Sequence, residues 1–373
     1  MKIGVPKETL RHEHRVGLTR FAVSRLSNLG HEVYVEHDAG RDSHFSDEDY
    51  QGVGAQIVYT SDEVCARADL ICRVGAPGAS DVAMLGRGAT VLGFLHLAVM
   101  PREVIAQLAE REVTMIGYEV IQEADGSHPV LRALSEIGGH MAVHTAARLL
   151  EHEAGGRGLV LGGVPGVPPA TVVILGAGTV GRTAARLAQA SGAHVILMDA
   201  DMRQLHGIHD VAGCPSTVTV LATQGNLERY TAIADVLIGA VLVPGARAPY
   251  LVTSEMVQKM KPGSVILDLS IDQGGCVETS RPTTPDNPTF KAHGVTHFCV
   301  PNMTANVPRT ASRAMVLTAL PYLTQIAERG VEQALRHDAG LAKGVYMYRG
   351  RVVHEPAAEA LGVSPHRLAD LLG

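Results

Sequence analysis

Short apolar runs alternate with amphipathic stretches along the chain. In the first 130 residues, strand-like runs at 2–5, 32–35, 56–59, 70–74, 90–97 and 114–118 are separated by helical patterns at 19–30, 61–68 and 101–111. Ser46 and Asp49 have the spacing of a capping box that opens a further short helix. Strands that alternate with helices in this way predict a parallel sheet with helices on both faces.

The alternation continues beyond a long helical stretch at 135–151 and a Gly/Pro-rich loop at 155–169. Strands are predicted in the second stretch at 171–175, 194–198, 217–222, 235–240, 264–269 and 295–300. One long helical run at 311–335 follows, and we expect it to return to the first domain and close it. The predicted fold is α/β, with two Rossmann-like doubly wound domains and a cleft between them.

A strand, a glycine turn, a helix and a second strand follow one another between residues 171 and 199. Gly176, Gly178 and Gly181 have the G-x-G-x-x-G spacing, which permits a tight turn, a close backbone approach to a pyrophosphate and close helix packing. Asp199 ends the second strand, where a carboxylate accepts hydrogen bonds from a ribose 2′-OH and repels a 2′-phosphate. The pattern predicts NAD rather than NADP, and a glycine-rich turn without a ligand is the alternative.

Composition narrows the possible partners and the compartment. The 373 residues suffice for two domains, and a net charge of −6 without a basic block argues against nucleic acid. No apolar run approaches the roughly 20 residues of a membrane span, and the N-terminus has no secretory pattern. The five cysteines are odd in number and lack C-x-x-C spacing, so we expect buried thiols in a reducing cytoplasm and neither a disulfide framework nor a metal site.

Polar residues fall at the ends of predicted strands, where doubly wound sheets bind their ligands. They are Arg15, His96, Asp272 and Asn302. Each has an ordinary alternative: a solvated loop arginine, a structural histidine, or turn-forming Asp and Asn residues. Four such residues together with a dinucleotide fold favour a ligand cleft.

Longer stretches resemble the alanine dehydrogenase/pyridine nucleotide transhydrogenase family. They include GVPKE at 4–8, RVGLT at 15–19, FLHLA at 94–98, RGLVLGGVPGVPPA at 157–170, IGAVLVPGARAP at 238–249, MKPGSVILDLSIDQGGCVETSRPTT at 260–284 and NMTANVPRT at 302–310. The resemblance covers nearly the whole chain and weakens after about residue 345.

The resemblance implies reversible oxidative deamination of L-alanine to pyruvate and ammonium with NAD, usually by a homo-hexamer. It implies a substrate domain at 1–130 and 306–373 and an NAD domain at 131–305. Matched by position, Arg15 would bind the substrate carboxylate, His96 would be the general acid/base, and Asp272 would assist proton transfer. The cofactor site would comprise Ser135, Gly176, Gly178, Thr179, Val180, Gly181, Asp199, Val241, Leu242, Leu269, Ile271, Asn302 and Met303.

One departure from the family falls in the expected substrate site. Where the family has K-V-K-E-P, with the second Lys a substrate-binding residue, this chain has Arg73-Val-Gly-Ala-Pro77, so that position is Gly75. We hypothesise that Arg73 and Arg15 together bind the carboxylate. The alternatives are a related dehydrogenase for a different amino or keto acid and an NAD-binding protein with little catalysis. A soluble transhydrogenase subunit is disfavoured because the resemblance continues through residues 302–345.

Overall fold

The computed structural model describes residues 1–209, 216–241 and 248–373. The chain divides into two compact units. We call Met1–Leu134 with Ala305–Gly373 the terminal unit, and Ser135–Thr304 the central unit. No helix among the described residues is both long and apolar enough to cross a membrane.

The N-terminal segment supplies six strands of the terminal unit: β1 (Lys2–Val5), β2 (Glu32–Glu36), β3 (Ala55–Val58), β4 (Leu70–Gly75), β5 (Thr90–Phe94) and β6 (Thr114–Gly117). The connecting helices are α1 (Arg20–Asn28), α2 (Asp47–Gln51), α3 (Ser61–Arg67), α4 (Ala79–Met84) and α5 (Arg102–Glu110). The capping box predicted at Ser46 and Asp49 is present at the start of α2. The strand predicted at 90–97 ends three residues early, because His96 has a left-handed backbone conformation.

Helix α6 (Pro129–Leu149) leads into the central unit. The strands of this unit are β7 (Thr171–Leu175), β8 (His194–Asp199), β9 (Val218–Leu221), β10 (Val236–Gly239), β11 (Val265–Asp268), β12 (Thr289–Ala292) and β13 (Val295–Phe298). Its further helices are α7 (Thr179–Ala190), α8 (Met202–His209), α9 (Gln224–Ile233) and α10 (Ser254–Gln258). Apolar side chains of β7 alternate between two core clusters, so both faces of this sheet are covered.

The C-terminal segment completes the terminal unit. The single helix predicted at 311–335 is two helices, α11 (Pro308–Arg329) and α12 (Val331–His337), because Gly330 has φ +78° and interrupts the helical backbone. They are followed by α13 (Ala339–Lys343), β14 (Val345–Tyr348), β15 (Arg351–Val352), α14 (Glu355–Leu361) and α15 (Leu368–Leu372). The predicted return to the first domain is confirmed: the backbone N–H of Val16 donates to Ser312 Oγ at 3.0 Å.

The two sheets share one topology. The terminal sheet has the order β15-β14-β6-β5-β4-β1-β2-β3, and the central sheet has the order β12-β13-β11-β10-β7-β8-β9. Without the antiparallel additions, which are β14, β15 and β12, each sheet has the 3-2-1-4-5-6 order of a Rossmann fold. The predicted α/β class with two Rossmann-like domains is confirmed, although both sheets are mixed rather than purely parallel. In each sheet the strand order reverses beside its first strand, between β1 and β4 and between β7 and β10.

Candidate active site

The glycine turn after β7 is shaped by three glycines with different surroundings. Gly176 has φ +99°, and a Cβ added there would lie 2.4 Å from the Ala240 carbonyl oxygen. A Cβ on Gly181 would lie 1.8 Å from the Gly176 carbonyl oxygen. Gly178 has an ordinary φ of −72°, and a Cβ there would meet nothing within 4 Å. The fold therefore requires two of the glycines, and the third borders open space.

Helix α7 begins beside that open space. Gly178 is its N-cap, and Thr179 and Val180 are its first helical residues. Because a glycine offers no side chain to cap the helix, the first backbone N–H groups are available to an anion. The positive end of the helix dipole adds to their attraction for a phosphate.

Asp199 lies next to the same turn. Its Oδ2 accepts the backbone N–H of Ala177 at 2.6 Å, and its Oδ1 accepts that of Asp201 at 2.8 Å. The structure therefore brings together the glycine turn and the acid that were predicted to bind one dinucleotide.

The strands on the other side of the reversal point end in residues of the same predicted site. The Val241 N–H, after β10, donates to Ser270 Oγ at 3.0 Å. After β11, Leu269, Ile271 and Asp272 lie in a 3-10 turn spanning Leu269–Gln273.

Asp272 and Asn302 are adjacent: the Asp272 carboxylate accepts the Asn302 N–H, 3.1 Å from Oδ1. Asn302 has a left-handed φ of +52°, and Met303, the next residue, is buried. Ser135 is half-buried on α6. Leu242 lies outside the described residues.

Asp268 is a buried residue that the sequence analysis missed. Its carboxylate accepts backbone N–H groups from Ser270, Cys276 and Val277 and so fixes both ends of the loop that carries Asp272. Burial raises the pKa of this carboxyl above its usual value. Its place at the end of a buried strand is the sequence signal that could have identified it.

In the terminal unit, His96 follows β5 on a strained turn. Its φ of +43° and ψ of +49° are left-handed, and its side chain is 51% exposed. Glu119, which follows the neighbouring strand β6, is buried and accepts the backbone N–H groups of Leu95 at 3.1 Å and His96 at 2.6 Å. The His96 Nδ1 lies 3.6 Å from Glu119 Oε1. Glu119 was missed, although carboxyl ends of neighbouring parallel strands meet at one sheet edge.

The two predicted carboxylate-binding arginines are buried and already paired with acids. Arg15 binds Glu13 through two hydrogen bonds, Nε to Oε1 at 2.7 Å and Nη2 to Oε2 at 2.6 Å. Arg73 pairs with Asp81 at 2.8 Å and with Glu8 at 3.6 Å, and all three of these side chains are at most 5% exposed. A substrate carboxylate at Arg73 would therefore compete with two carboxylates that are already in place.

Glu8 lies where the strand order of the terminal sheet reverses, between β1 and β4. It accepts the Val74 N–H at 2.6 Å, and burial is the main cause that raises the pKa of its carboxyl above the usual value. A Cβ on Gly75 would meet only Glu8 Oε2, at 3.8 Å. The predicted site residues of this unit thus follow β1, lie on β4 and follow β5, three adjacent strands.

The described residues also contain one group with metal-ligand character outside these sites. His37, Asp38 and Asp47 hold ligand-type atoms within 4.8 Å of one another. The His37 Nδ1 is hydrogen-bonded to Asp47 at 2.5 Å, so the members of this group already contact one another.

The paired Rossmann sheets and the glycine turn with its acid define the class of dinucleotide-binding α/β proteins. The chain belongs to the alanine dehydrogenase/PNT family: the family's N-terminal domain matches residues 4–138 and its C-terminal domain matches residues 142–355. It is 43% identical to the alanine dehydrogenase of Mycobacterium tuberculosis over 97% of each chain. It is 41% identical to that of Halomonas elongata over the full length of both.

Solved structures show the same relationship. An L-alanine dehydrogenase structure matches with a TM-score of 0.91 and 41% identity over 97% of this chain and 99% of that one. A transhydrogenase from Sinorhizobium meliloti matches with a TM-score of 0.80 and 25% identity, over 95% and 99%. The predicted family is thus confirmed.

Proposed function

We propose that the protein catalyses the oxidative deamination of L-alanine to pyruvate and ammonium with NAD, and the reverse reaction. The observation that carries this proposal is His96, an exposed imidazole on a strand-end turn that a buried carboxylate holds in place. The relatives named alanine dehydrogenase support it, because they match over nearly the whole chain.

The cofactor proposal rests on the glycine turn. A glycine at 178 that borders open space, beside a helix N-terminus, fits a pyrophosphate, and Asp199 favours a ribose 2′-OH over a 2′-phosphate. When bound, NAD supplies the hydride acceptor. We expect kcat/KM with NAD to exceed that with NADP at least about tenfold, or ~1.4 kcal/mol. Initial rates with both cofactors measure this ratio, and equal values would refute the NAD assignment.

The Gly178→Ala variant tests the turn directly. A methyl group in the open space should weaken NAD binding about tenfold or more and leave the melting temperature unchanged. Gly225→Ala is the matched control, because Gly225 also borders open space in the central unit but lies on α9. Calorimetric titration with NAD gives the affinities, and wild-type affinity in Gly178→Ala would contradict the proposed cofactor site.

The remaining roles follow from charge and position. Arg15 is proposed to bind the substrate carboxylate through its planar guanidinium. His96 is proposed to accept and return protons as the amine is lost, since an imidazole can act both as a base and as an acid. Asp272 is proposed to assist that transfer. The binding of the carboxylate by Arg73 stays a prediction, to be tested by alanine KM in Arg73→Ala.

A different amino or keto acid substrate is the second candidate. The lack of a side chain at Gly75, where an added Cβ would meet only Glu8 Oε2 at 3.8 Å, favours it. A panel of L-amino acids with NAD decides between the two: highest kcat/KM with alanine supports the first. Gly75→Lys should lower KM for alanine if the remaining pocket is that of an alanine enzyme. Loss of alanine activity in Gly75→Lys would favour the second candidate, and no turnover of any amino acid would leave an NAD-binding protein.

We also propose a homo-oligomer, a hexamer by family resemblance, with a substrate domain at 1–130 and 306–373 and an NAD domain at 131–305. Sedimentation velocity measures the assembly, and a monomer would contradict it. A cytoplasmic location is proposed because Cys65, Cys72, Cys276 and Cys299 are buried free thiols. A fluorescent fusion imaged in cells tests the location.

A further inference from the structure

Strand β14, from the C-terminal segment, places a buried tyrosine against the carboxylate that holds His96. The Tyr346 hydroxyl donates to Glu119 Oε1 at 2.9 Å, and both residues are more than nine-tenths buried. The same oxygen accepts the His96 backbone N–H at 2.6 Å. Tyr346 is therefore separated from the His96 turn by a single shared carboxylate.

The fold around Tyr346 is shaped to its ring. On one side is Gly117, where an added Cβ would lie 2.3 Å from Tyr346 Cε2, so only glycine leaves room for the ring. On another side, the His354 ring packs against it edge-on, with centroids 4.9 Å apart. His354 is itself the N-cap of α14, and its Nδ1 accepts the Ala357 N–H at 3.3 Å. The position of the hydroxyl is therefore set by β6, β14 and α14 together.

We propose that Tyr346 is a positioning residue for the reaction, because its hydroxyl fixes the Glu119 carboxylate that holds the His96 turn. This inference rests on the proposed function, in which His96 moves the protons. A left-handed conformation is unfavourable for a non-glycine residue such as His96. Hydrogen bonds from the Leu95 and His96 N–H groups to Glu119 offset that cost, and the Tyr346 hydroxyl keeps the carboxylate in place to accept them.

The titratable groups around this carboxylate are His96, Tyr346 and His354, with Glu355 beyond His354. Burial and Glu119 raise the pKa of Tyr346, so its hydroxyl remains a donor at neutral pH. Burial lowers the pKa of His354, which remains a neutral ring. Removal of the hydroxyl withdraws a donor from Glu119. Its negative charge then acts more strongly on the His96 imidazole, whose Nδ1 lies 3.6 Å from Glu119 Oε1.

Tyr346→Phe tests the proposal with a readout that does not need turnover. Diethyl pyrocarbonate acylates neutral imidazoles, and peptide mass spectrometry follows the rate at His96 as a function of pH. We expect the midpoint to move up by about half a pH unit in Tyr346→Phe. Tyr348→Phe is the matched control, because Tyr348 is equally buried on β14 but packs against Arg349. Its midpoint should stay within about 0.2 of wild type.

A second variant keeps the hydroxyl and loosens the ring. His354→Asn retains an N-cap residue but removes the aromatic contact, so we expect a smaller upward shift of the His96 midpoint. In turnover, Tyr346→Phe should lower kcat about three- to tenfold with KM for NAD unchanged. An unshifted midpoint in folded Tyr346→Phe would overturn the proposal. If the wild type oxidises no alanine, the proposed function fails, and the acylation midpoints still decide the role of Tyr346.

Discussion

The two sheets have the same strand order, but different chemical groups lie where that order reverses. Beside β7 and β10, the central unit presents backbone: two glycines that the fold requires, one that borders open space, and the N-terminus of α7. Beside β1 and β4, the terminal unit buries charged side chains, with Arg73 between Glu8 and Asp81. One topology thus forms a crevice of N–H groups in one unit and a network of ion pairs in the other.

The two crevices therefore place different requirements on the amino-acid sequence. A crevice made of backbone requires the absence of side chains at a few local positions. A crevice made of ion pairs requires particular charged partners, and each buried charge is costly without its partner. Substitutions should therefore affect the central site by steric clash and the terminal site by leaving buried charges unpaired.

The largest expected effect is in the terminal unit. His96→Ala should lower kcat by about 10²–10⁴-fold, because it removes the proposed acid/base while the backbone site for NAD remains intact. Steady-state kinetics with the best substrate and NAD titration measure the two quantities. If the variant kept more than a third of wild-type activity, His96 would not be the acid/base.

Arg73→Ala comes next and tests the ion-pair network. It leaves Glu8 and Asp81 buried without their cation, which should cost about 3–5 kcal/mol of unfolding free energy. Urea unfolding measures the loss. Arg87→Ala is the control, since its pair with Glu112 is exposed and should contribute nothing measurable. Equal stability of both variants would show that the terminal unit does not depend on its buried ion pairs.

Gly181→Ala tests how a side chain in the glycine turn changes the thermal stability of the protein. Its methyl group would clash with the Gly176 carbonyl, and such overpacking costs about 1–3 kcal/mol. Thermal melts of Gly181→Ala and Gly178→Ala should therefore differ, with only the first lowered. Two unchanged melting temperatures would show that the turn tolerates side chains.

The smallest effect concerns pH. His297, on β13, is fully buried, and burial lowers the pKa of its imidazole below 6.5. The neutral ring therefore contributes stability that is present above pH 6.5 and is lost as pH falls towards the folded pKa. His297→Phe should reduce the difference in stability between pH 7.5 and pH 5.5, as measured by urea unfolding at both values.

In the terminal unit, Glu8 has the opposite effect on the pH dependence of stability. Because the pKa of Glu8 is raised, its folded carboxyl binds a proton before the unfolded one does, so acidification favours the folded state at this residue. Glu8→Gln should remove this contribution, and the stability of the variant should fall more steeply than that of wild type as pH decreases. A parallel pH dependence of both proteins would contradict the assignment.

The contrast between a backbone site and an ion-pair site also explains which parts of the structure the sequence predicts. The glycine turn and Asp199 are identified by local spacing, and the paired Rossmann sheets follow from the alternation of strands and helices. The Arg73–Glu8 pair joins residues 65 positions apart, and no periodicity in the sequence reports which acid meets which base. The apolar run predicts a strand at 90–97 that is too long, because such a run does not reveal the left-handed turn at His96.

The C-terminal region was the least predictable. Strands β14 and β15 are short, and β14 is recognisable as a strand only when β6 is available to pair with it. Gly330 interrupts a helical pattern that otherwise continues across it. The proposed role of Tyr346 depends on contacts with Gly117 and Glu119, which lie in a distant part of the chain.

The pairing of β14 with β6 has a consequence for biosynthesis. More than two hundred residues separate these strands, so at roughly 5–20 residues per second a ribosome takes about 10–45 s to deliver the partner of β6. The whole central unit is synthesised during that interval and can fold first. Until then β6, with four buried residues in the finished protein, is an unprotected sheet edge. A chain that ended before Val345 would keep that edge of β6 permanently unpaired.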